Sequence, residues 1–311
     1  MLTLLDYGRI GYSVSDINIR TNDRTGVPIT DYGCKGEVYI GVQRNPLHVA
    51  QEALILYDRH NRTADEKTFT SFINNSNWLV ENAVSNGNYS VLPYNFTWPP
   101  YVTNPPWYSA LAQSKAIDVL AKAHQVTGNQ TYLDVAKSLL NAFFVEVDDG
   151  GVTLKTPDKG WWYEEYAKPG AVKSGVLSGM TNSLLSIYNY SQYTKDPDAK
   201  SLFDQGVLAL KNNLPRFEYI GGQYSTFDAL NNTQPASVDH HIAHTTQLGK
   251  LYNITGEQVF RNYYDRWTNF TLPSGVADKM RSESGSENAT LSCPSTIRDP
   301  FSQQTLAIKS C

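Results

Sequence analysis

The chain has 311 residues, a formal net charge of −4 and 41% hydrophobic residues, which is the composition of a folded globular protein. Its Lys and Arg residues form no basic run, which argues against nucleic acid as a partner, and no apolar stretch approaches the roughly 18 residues of a membrane span. Tyrosine is frequent, at 20 copies. This excess suits ligands with polar edges and apolar faces, and equally the filling of a large helical core.

Residues 1–44 contain short alternating segments, such as Val38-Tyr39-Ile40, and are predicted to form a short β-rich lead-in. The first six residues lack the basic and apolar regions of a signal peptide, so we expect the chain either to stay inside the cell or to have lost an export segment. Ten Asn-X-Ser/Thr sequons favour the export pathway, with chance enrichment in an Asn-rich chain as the alternative.

Residues 45–273 repeat a pair of amphipathic helices at a spacing of about 65 residues. The pairs are predicted to open at Asn45-Pro46, near Pro106-Trp107-Tyr108, at Ser174 and at Asp239. Apolar residues within each helix keep the three-and-four spacing of a buried face. Because helical hairpins of this size stack and share a core, we predict a mainly α fold, an incomplete (α/α)4 toroid, with a plain helical bundle as the alternative.

Two β-hairpins are predicted between the helix pairs, one at residues 150–163 and one at residues 217–227. Each follows a second helix and precedes the next first helix, so both should gather at one end of the toroid, where a cleft would open. Residues 274–311 are rich in Ser and are predicted to be a loose polar tail. Cys293 and Cys311 could close a disulfide there and leave Cys34 free, and the cysteine spacing matches no zinc site.

The most informative stretch is Trp162-Tyr163-Glu164-Glu165-Tyr166, at the end of the first predicted hairpin. A buried segment rarely contains two Glu and two Tyr in four positions, whereas such a cluster beside an indole suits proton transfer on a carbohydrate. The chain has no Gly-rich phosphate loop, no His-Glu-x-x-His run and no Ser-centred elbow. We therefore predict no cofactor and no metal.

A second polar cluster, Asp239-His240-His241-Ile242-Ala243-His244, lies at the predicted start of the fourth helix pair. His240 and His241 are each within one turn of His244, so metal binding, packing and substrate contact are all open alternatives. A helix N-terminus disfavours a charged imidazolium. It would keep His240 neutral near pH 7 and ready to accept a proton.

Several blocks occur in a fixed order between about residues 28 and 270: Pro106-Trp107-Tyr108-Ser109-Ala110-Leu111-Ala112-Gln113, Trp162-Tyr163-Glu164-Glu165-Tyr166, Val176-Leu177-Ser178-Gly179-Met180, Leu214-Pro215, Tyr224, and Asp239-x-His241-x-x-His244-x-x-Gln247-Leu248. In this order they resemble the C-terminal catalytic region of D-glucuronyl C5-epimerases. Those enzymes invert uronic acid residues within heparosan-type polysaccharides. The resemblance implies an α/α toroid and a uronate-containing polysaccharide as partner.

The resemblance places the family's catalytic Glu-Tyr pair on Glu165 and Tyr166, and its hairpin tyrosine on Tyr224. A third family tyrosine corresponds to His240, and the arginine that follows the hairpin tyrosine in the family is absent from Ser225-Thr226-Phe227. The large β domain that precedes the family's helical region is reduced here to the N-terminal segment.

We therefore expect C5 epimerisation, with Glu165 and His240 on opposite sugar faces as base and acid in either order, and with Tyr166 and Tyr224 as donors or proton relays. The expected substrate contacts are Trp107, Tyr108, Trp162, Tyr163, His241, His244, Arg216, Lys168 and Lys173. A uronate lyase that begins with the same proton abstraction is the alternative enzyme, and a non-catalytic glycan-binding homologue is the other alternative. The oligomeric state is not readable from the sequence.

Overall fold

Eight α-helices are the main elements of the described part of the protein in the computed structural model. The structure describes residues 19–35, 38–99, 101, 104–219, 221–230 and 235–270, together with two short strands near the C-terminus. The helices in these ranges are α1 (Pro46–Thr63), α2 (Glu66–Glu81), α3 (Ala110–Thr127), α4 (Gln130–Asn141), α5 (Leu177–Thr194), α6 (Pro197–Asn213), α7 (Val238–Thr255) and α8 (Gln258–Thr268).

The helices are arranged as an arc with an inner and an outer layer. Helix α1 contacts α3, α3 contacts α5 and α5 contacts α7, whereas each even-numbered helix packs on the odd-numbered helix before it. Because a tight turn joins the two helices of each pair, the pairs are antiparallel and the four inner helices start at the same end of the arc, which we call the mouth. The arrangement confirms the predicted mainly α, incomplete (α/α)4 toroid.

Local sequence signals explain most of the helix ends. The Asn45 side chain accepts from the amides of Leu47 and His48 at the start of α1, and Pro46 occupies the first turn. Gly128 ends α3 and Gly256 ends α7 in the left-handed conformation that favours glycine. The predicted start of α5 at Ser174 is wrong, because the helix begins at Leu177. Helix α7 begins at Val238 with Ser237 as its N-cap, one residue before the predicted start at Asp239.

Thirteen short strands are described: β1 (Ile19–Asn22), β2 (Pro28–Asp31), β3 (Cys34–Lys35), β4 (Val38–Tyr39), β5 (Val42–Gln43), β6 (Val84–Asn86), β7 (Tyr89–Val91), β8 (Thr153–Thr156), β9 (Gly160–Tyr163), β10 (Glu218–Tyr219), β11 (Tyr224–Ser225), β12 (Thr296–Arg298) and β13 (Thr305–Ala307). The hairpins β8–β9 and β10–β11 confirm the two predicted insertions, and β6–β7 is a third. Each hairpin joins an outer helix to the next inner helix, so all three lie at the mouth.

The lead-in consists of the antiparallel sheet β1–β2–β5 and the pair β3–β4. Near the C-terminus, β12 pairs with β13. Cys34 is disulfide-bonded, so the prediction that it stays free is wrong, and its partner lies outside the described residues. Cys293 and Cys311, the predicted disulfide pair, also lie outside them. The division into lead-in, toroid and loose tail stays a prediction.

The main core lies between the two helical layers and includes the fully buried rings of Phe72, Phe143, Phe217 and Phe260. A second buried cluster, which we call the aromatic cluster, contains Tyr32, Ile40, Tyr94, Phe96, Trp107 and Ala112. Trp98, Tyr101 and Tyr166 pack against it and are partly exposed. Within the described ranges, no helix combines the length and apolarity needed to cross a bilayer.

Candidate active site

The segment after β9 is anchored by Glu164. Its buried carboxylate accepts hydrogen bonds from the Ser174 hydroxyl and from the amide of Gly175, 3.0 Å from Oε2. Its carbonyl oxygen accepts from the amide of Ala110 at 2.9 Å, at the start of α3. Glu164 therefore ties the hairpin to the N-termini of α3 and α5. Burial raises the pKa of its carboxyl group, although the bonds from Ser174 and the nearby amides oppose that shift.

Glu165 follows directly and lies at the mouth. The side chain is 9% exposed, and its Oε2 atom is buried with no hydrogen-bond partner in the described part of the chain. Burial raises the pKa of the Glu165 carboxyl group to about 8. The Glu164 charge adds a smaller increase, and a hydrogen bond from Tyr166 opposes the shift. At neutral pH, Glu165 is therefore mainly a protonated acid in a position where a ligand could meet it.

Tyr166 joins Glu165 to an aromatic wall. Its ring stacks on Tyr101 with centroids 4.4 Å apart, and it also hydrogen-bonds to Trp98. The Tyr101 hydroxyl donates to Asp228 Oδ2 at 2.6 Å. Burial is the largest cause of the raised pKa of both the Tyr101 and the Tyr166 hydroxyl, so both stay protonated at neutral pH. Trp98, Tyr101 and Tyr166 form a partly exposed surface that a sugar could stack on.

Residues 225–229 connect the Glu165 side of the mouth to α7. The amide of Leu177 donates to the Phe227 carbonyl, and the amide of Ala229 donates to the Ser174 carbonyl, both at 3.1 Å. The Phe227 ring packs edge-on against His240 with centroids 4.7 Å apart. Phe227 contacts His240, and its neighbour Asp228 accepts the Tyr101 hydroxyl. This short segment therefore touches both His240 and the tyrosine that stacks on Tyr166.

His240 lies in the first turn of α7 and is partly buried. Its Nδ1 atom is 2.8 Å from the Ser237 hydroxyl, which is also the N-cap oxygen. Burial lowers the pKa of the imidazole, although the Asp239 charge opposes that shift. His240 is therefore neutral at pH 7, and the bond at Nδ1 leaves Nε2 as the nitrogen for proton transfer.

His241 and His244 share Ser225, whose hydroxyl is 2.9 Å from Nδ1 of each ring. His241 also accepts from the Ser225 amide, and its Nε2 is 3.1 Å from the Trp267 carbonyl. Both nitrogens of His241 thus support β11 and α8, while the residue also lines the cavity beside Tyr224. Its predicted role in substrate contact stays a prediction. His244 is fully buried, and its Nε2 has no partner among the described residues.

Tyr224 stacks on His241 with ring centroids 3.6 Å apart. Its hydroxyl is buried and, within the described ranges, makes no hydrogen bond. The ring lines a cavity of about 460 Å³ formed by residues of α7 and α8 and by Phe270, and neither Glu165 nor Tyr166 is among its described lining residues. Tyr224 therefore lines a neighbouring cavity.

Three of the predicted substrate contacts are buried in this structure. Trp107 is 3% exposed, stacks on Tyr94 and donates its indole N–H to the Phe96 carbonyl. Tyr163 is fully buried and donates to the Leu202 carbonyl. Trp162 is 7% exposed and stacks on Phe217. Helices and neighbouring rings cover Trp107, Tyr163 and Trp162 in this structure. Their substrate contacts stay predictions.

The predicted cationic contacts are bound to protein groups. Lys168 donates to the Pro106 carbonyl at 3.1 Å, Lys173 forms an ion pair with Asp148 at 2.7 Å, and the exposed Arg216 donates to Asn213 at 3.3 Å. Tyr108, also a predicted contact, is partly buried. Their contacts with substrate stay predictions. Across the described residues, no group of three His, Cys, Asp or Glu side chains is placed to hold a metal ion.

Sequence reasoning did not find the roles of Glu164, Tyr101 and Asp228. Glu164 belongs to the same block as Glu165, and only the fold shows which carboxylate is bonded and which has an unpartnered oxygen. Tyr101 and Asp228 are 127 positions apart, so no spacing rule connects them. The only local signal in the sequence is that both residues lie in turn-like segments rich in Pro and Asn, at residues 99–106 and 228–235.

The fold is an α/α toroid, and Glu165, Tyr166 and His240 lie on segments at its mouth. The model of the family described as D-glucuronyl C5-epimerase C-terminus matches residues 85–269. The match covers more than half of the chain, so the protein belongs to the D-glucuronyl C5-epimerase C-terminal family.

Two curated relatives extend this result. An uncharacterized protein of Methanocaldococcus jannaschii is 29% identical over 264 residues, which are 79% of this chain and 84% of that protein. The D-glucuronyl C5-epimerase of Caenorhabditis elegans is 31% identical over 211 residues, which are 63% of this chain and 34% of that enzyme. The chain thus aligns with about a third of the length of the Caenorhabditis elegans epimerase.

Solved structures share the fold at low sequence identity. A cellobiose 2-epimerase of Bacillus thermoamylovorans superposes with a TM-score of 0.54 and 7% identity, over 76% of this chain and 65% of that one. A GH76 α-mannanase of Bacteroides thetaiotaomicron superposes with a TM-score of 0.52 and 14% identity, over 81% of this chain and 64% of that one. These similarities support the α/α toroid architecture.

Proposed function

We propose that the protein is a uronic-acid polysaccharide C5-epimerase, which removes the proton at C5 and returns one on the opposite face. The observation that carries this proposal is the Glu165 carboxyl group, which is buried at the mouth with an unpartnered oxygen among the described residues and a pKa raised to about 8. Such a group can hold a proton at neutral pH and deliver it to a ligand. Membership of the epimerase family supports the reaction class.

His240 is the complementary base. Its pKa is lowered by burial, so it is neutral where Glu165 is protonated. In one direction His240 Nε2 takes the C5 proton, and the electron pair of the broken C–H bond moves into the adjacent carboxylate. Glu165 then gives its proton to C5 from the other face. The reverse reaction uses the Glu165 carboxylate as base and the His240 imidazolium as acid, which microscopic reversibility requires.

The intermediate carries a second negative charge on the uronate carboxyl group, so donors must lie where that charge develops. Tyr166 is suited to this role because it already hydrogen-bonds to Glu165 and stays protonated. Tyr224 would act on a sugar unit that reaches the neighbouring cavity. Lys168, Lys173 and Arg216 remain our proposed contacts with neighbouring uronates along the polymer.

We also propose that the protein functions in the export pathway. Cys34 is disulfide-bonded, and structural disulfides persist mainly in oxidising compartments. The ten sequons point to the same location. An uronate-containing polysaccharide outside the cytosol would then be the partner.

The test is incubation of the protein with glucuronate- and iduronate-containing polysaccharides in D2O. We expect deuterium at C5 together with a changed epimer ratio. Unsaturated uronate products would instead identify a lyase, and binding with neither reaction would identify a glycan-binding homologue. Glu165→Gln and His240→Phe should abolish epimerisation, whereas the control His124→Phe, near the opposite end of α3, should retain it.

A further inference from the structure

Helix α3 is covered on every side except one. Between Ser109 and Ala123 all residues are buried apart from Lys115 and Lys122, which are partly exposed. With Leu111 and Asp118, each 6% exposed, they form a stripe at i, i+4, i+7 and i+11. Helices α1, α4 and α5 pack on the rest of α3, so this stripe faces the concave side of the arc.

Charged side chains from three inner helices meet on the concave side. Lys122 lies 3.6 Å from Asp118 and packs over the Tyr57 ring of α1. Burial raises the pKa of the neighbouring Asp58 carboxyl group. The positive charges of Lys122 and Arg62 oppose this shift, and the negative charge of Asp118 adds to it. The positive charge of Lys250 in α7 contributes to lowering the pKa of Lys115 from across the arc. The interior of the arc is therefore a charged, partly desolvated space.

Lys115 differs from Lys122 in having no hydrogen bond or ion pair in the part of the chain that the structure describes. Burial lowers the pKa of its ammonium group to about 8, the Asp118 charge opposes this, and Lys250 and Lys122 reinforce it. A desolvated cation without a bonded anion destabilises the folded chain. An anionic ligand in the arc would reverse that penalty.

Lys115 lies about one helical turn deeper in the arc than Glu165. Glu165 packs against Gly179 of α5, and the Ser114 hydroxyl meets the Ser183 hydroxyl at 3.4 Å, four residues further along α5. Four residues correspond to about 6 Å of helix. Side chains on a helix tilt toward its N-terminus, which for α3 is the mouth. A Lys115 side chain with this tilt would extend from below toward the level of Glu165.

We propose that Lys115 binds the carboxylate of the uronic acid that Glu165 and His240 act on. A uronate placed between Lys115 and Glu165 would present its carboxylate to the ammonium group and its C5 to the catalytic pair. The cation would favour uronates over neutral sugars, and it would stabilise the second negative charge of the intermediate. The inference rests on the proposed epimerase function.

Binding measurements test the role of Lys115 without requiring turnover. Titration calorimetry would compare a glucuronate-containing oligosaccharide with its carboxyl-reduced, neutral counterpart. We expect Lys115→Gln to weaken binding of the uronate by about 10- to 100-fold and to leave binding of the neutral sugar unchanged, while Lys115→Arg retains most of the affinity. The control Lys122→Gln, on the same stripe, should change neither. The melting temperature of Lys115→Gln should be equal to or above that of the wild type.

Three results would overturn the role of Lys115: uronate affinity of Lys115→Gln within twofold of wild type, an equal loss for both ligands, or a wild-type protein that does not prefer the uronate. The proposed function is tested separately by C5 exchange. Lys115-dependent uronate binding without C5 exchange would reject the epimerase and retain the binding site. Exchange with unchanged binding in Lys115→Gln would reject only the binding site.

Discussion

Glu165 and Gly179 are in such close contact that a side chain at position 179 would collide with the carboxyl group. A Cβ atom built on Gly179 would lie 2.5 Å from Glu165 Oε2 and 2.8 Å from Glu165 Cβ. The glycine in α5 therefore determines how closely Glu165 approaches the helix. A residue without side-chain chemistry thus controls the position of the proposed acid.

Gly179→Ala should displace Glu165 and lower the rate of C5 exchange by about 10²-fold, because catalysis is sensitive to displacements of about 1 Å. The comparison variant is Gly206→Ala, whose Cβ would lie 2.4 Å from Leu184 in the core. That variant should lower the melting temperature and retain exchange per folded molecule. An unaltered exchange rate in Gly179→Ala would show that the contact with Glu165 does not matter for the reaction.

The pH dependence of kcat/KM for C5 exchange should be bell-shaped. Activity should decline above about pH 8 as Glu165 loses its proton, and below the ordinary histidine range as His240 gains one. In Glu165→Asp the alkaline limb should shift, because a shorter side chain changes the environment of the carboxyl group. A profile that is flat between pH 6 and about 9 would contradict the assigned protonation states.

Glu165→Gln should stabilise the protein at neutral pH. The folded-state pKa of about 8 exceeds the ordinary 4.5, so between these values the folded chain keeps a proton that the unfolded chain has released. Below pH 4.5, Glu165 is protonated in both states and does not reduce stability. As the pH rises from 4.5 to about 8, the residue destabilises the folded state by an increasing amount. The amide can keep the bond to Tyr166, and we expect a gain of roughly 1 to 3 kcal/mol at pH 7.

Thermal or urea unfolding at several pH values measures this effect. The stability difference between Glu165→Gln and wild type should be small at pH 4.5 and should increase toward pH 8. Equal stability of the two proteins at pH 8 would mean that the Glu165 carboxyl group is well solvated in the folded state.

Tyr101→Phe should weaken the aromatic wall by removing the hydroxyl that donates to Asp228. Hydrogen bonds to charged groups contribute about 1.5 to 3 kcal/mol, so unfolding should become easier by a comparable amount, and exchange should fall by about 10-fold. The matched control is Tyr193→Phe, which removes a 2.7 Å bond to His124 far from the mouth. Equal exchange rates in both variants would remove Tyr101 from the site.

Helix pairing was predictable because it depends on signals that lie close together in the sequence. Asn45-Pro46 and Asp196-Pro197 both combine a cap with a first-turn proline, and both open helices in the structure. The start of α5 was misplaced because Ser174 bonds to Glu164 instead of capping the helix. Helix propensities do not capture this hydrogen bond, because its acceptor lies ten positions earlier in the chain.

The site was predictable only in part. The sequence singled out Glu165, Tyr166 and His240 as candidates, since clustered titratable groups are unusual in a core. Their catalytic roles stay predictions. The sequence could not show that Tyr94 covers Trp107, or that Leu202 satisfies the Tyr163 hydroxyl, because both contacts join distant segments. Tyrosine and tryptophan serve sugar binding and core packing equally well, and tertiary contacts decide between the two.

The central claim is that Glu165 and His240 act on opposite faces of one uronate, and label wash-out from C5 tests it most directly. Substrates of each epimer carrying deuterium at C5 would be incubated in H2O with Glu165→Gln and with His240→Gln. Each variant keeps one base, so we predict that each washes out label from one epimer only, that the two variants choose different epimers, and that neither inverts C5. Wash-out of the same epimer by both variants, or undiminished inversion in either, would contradict the account.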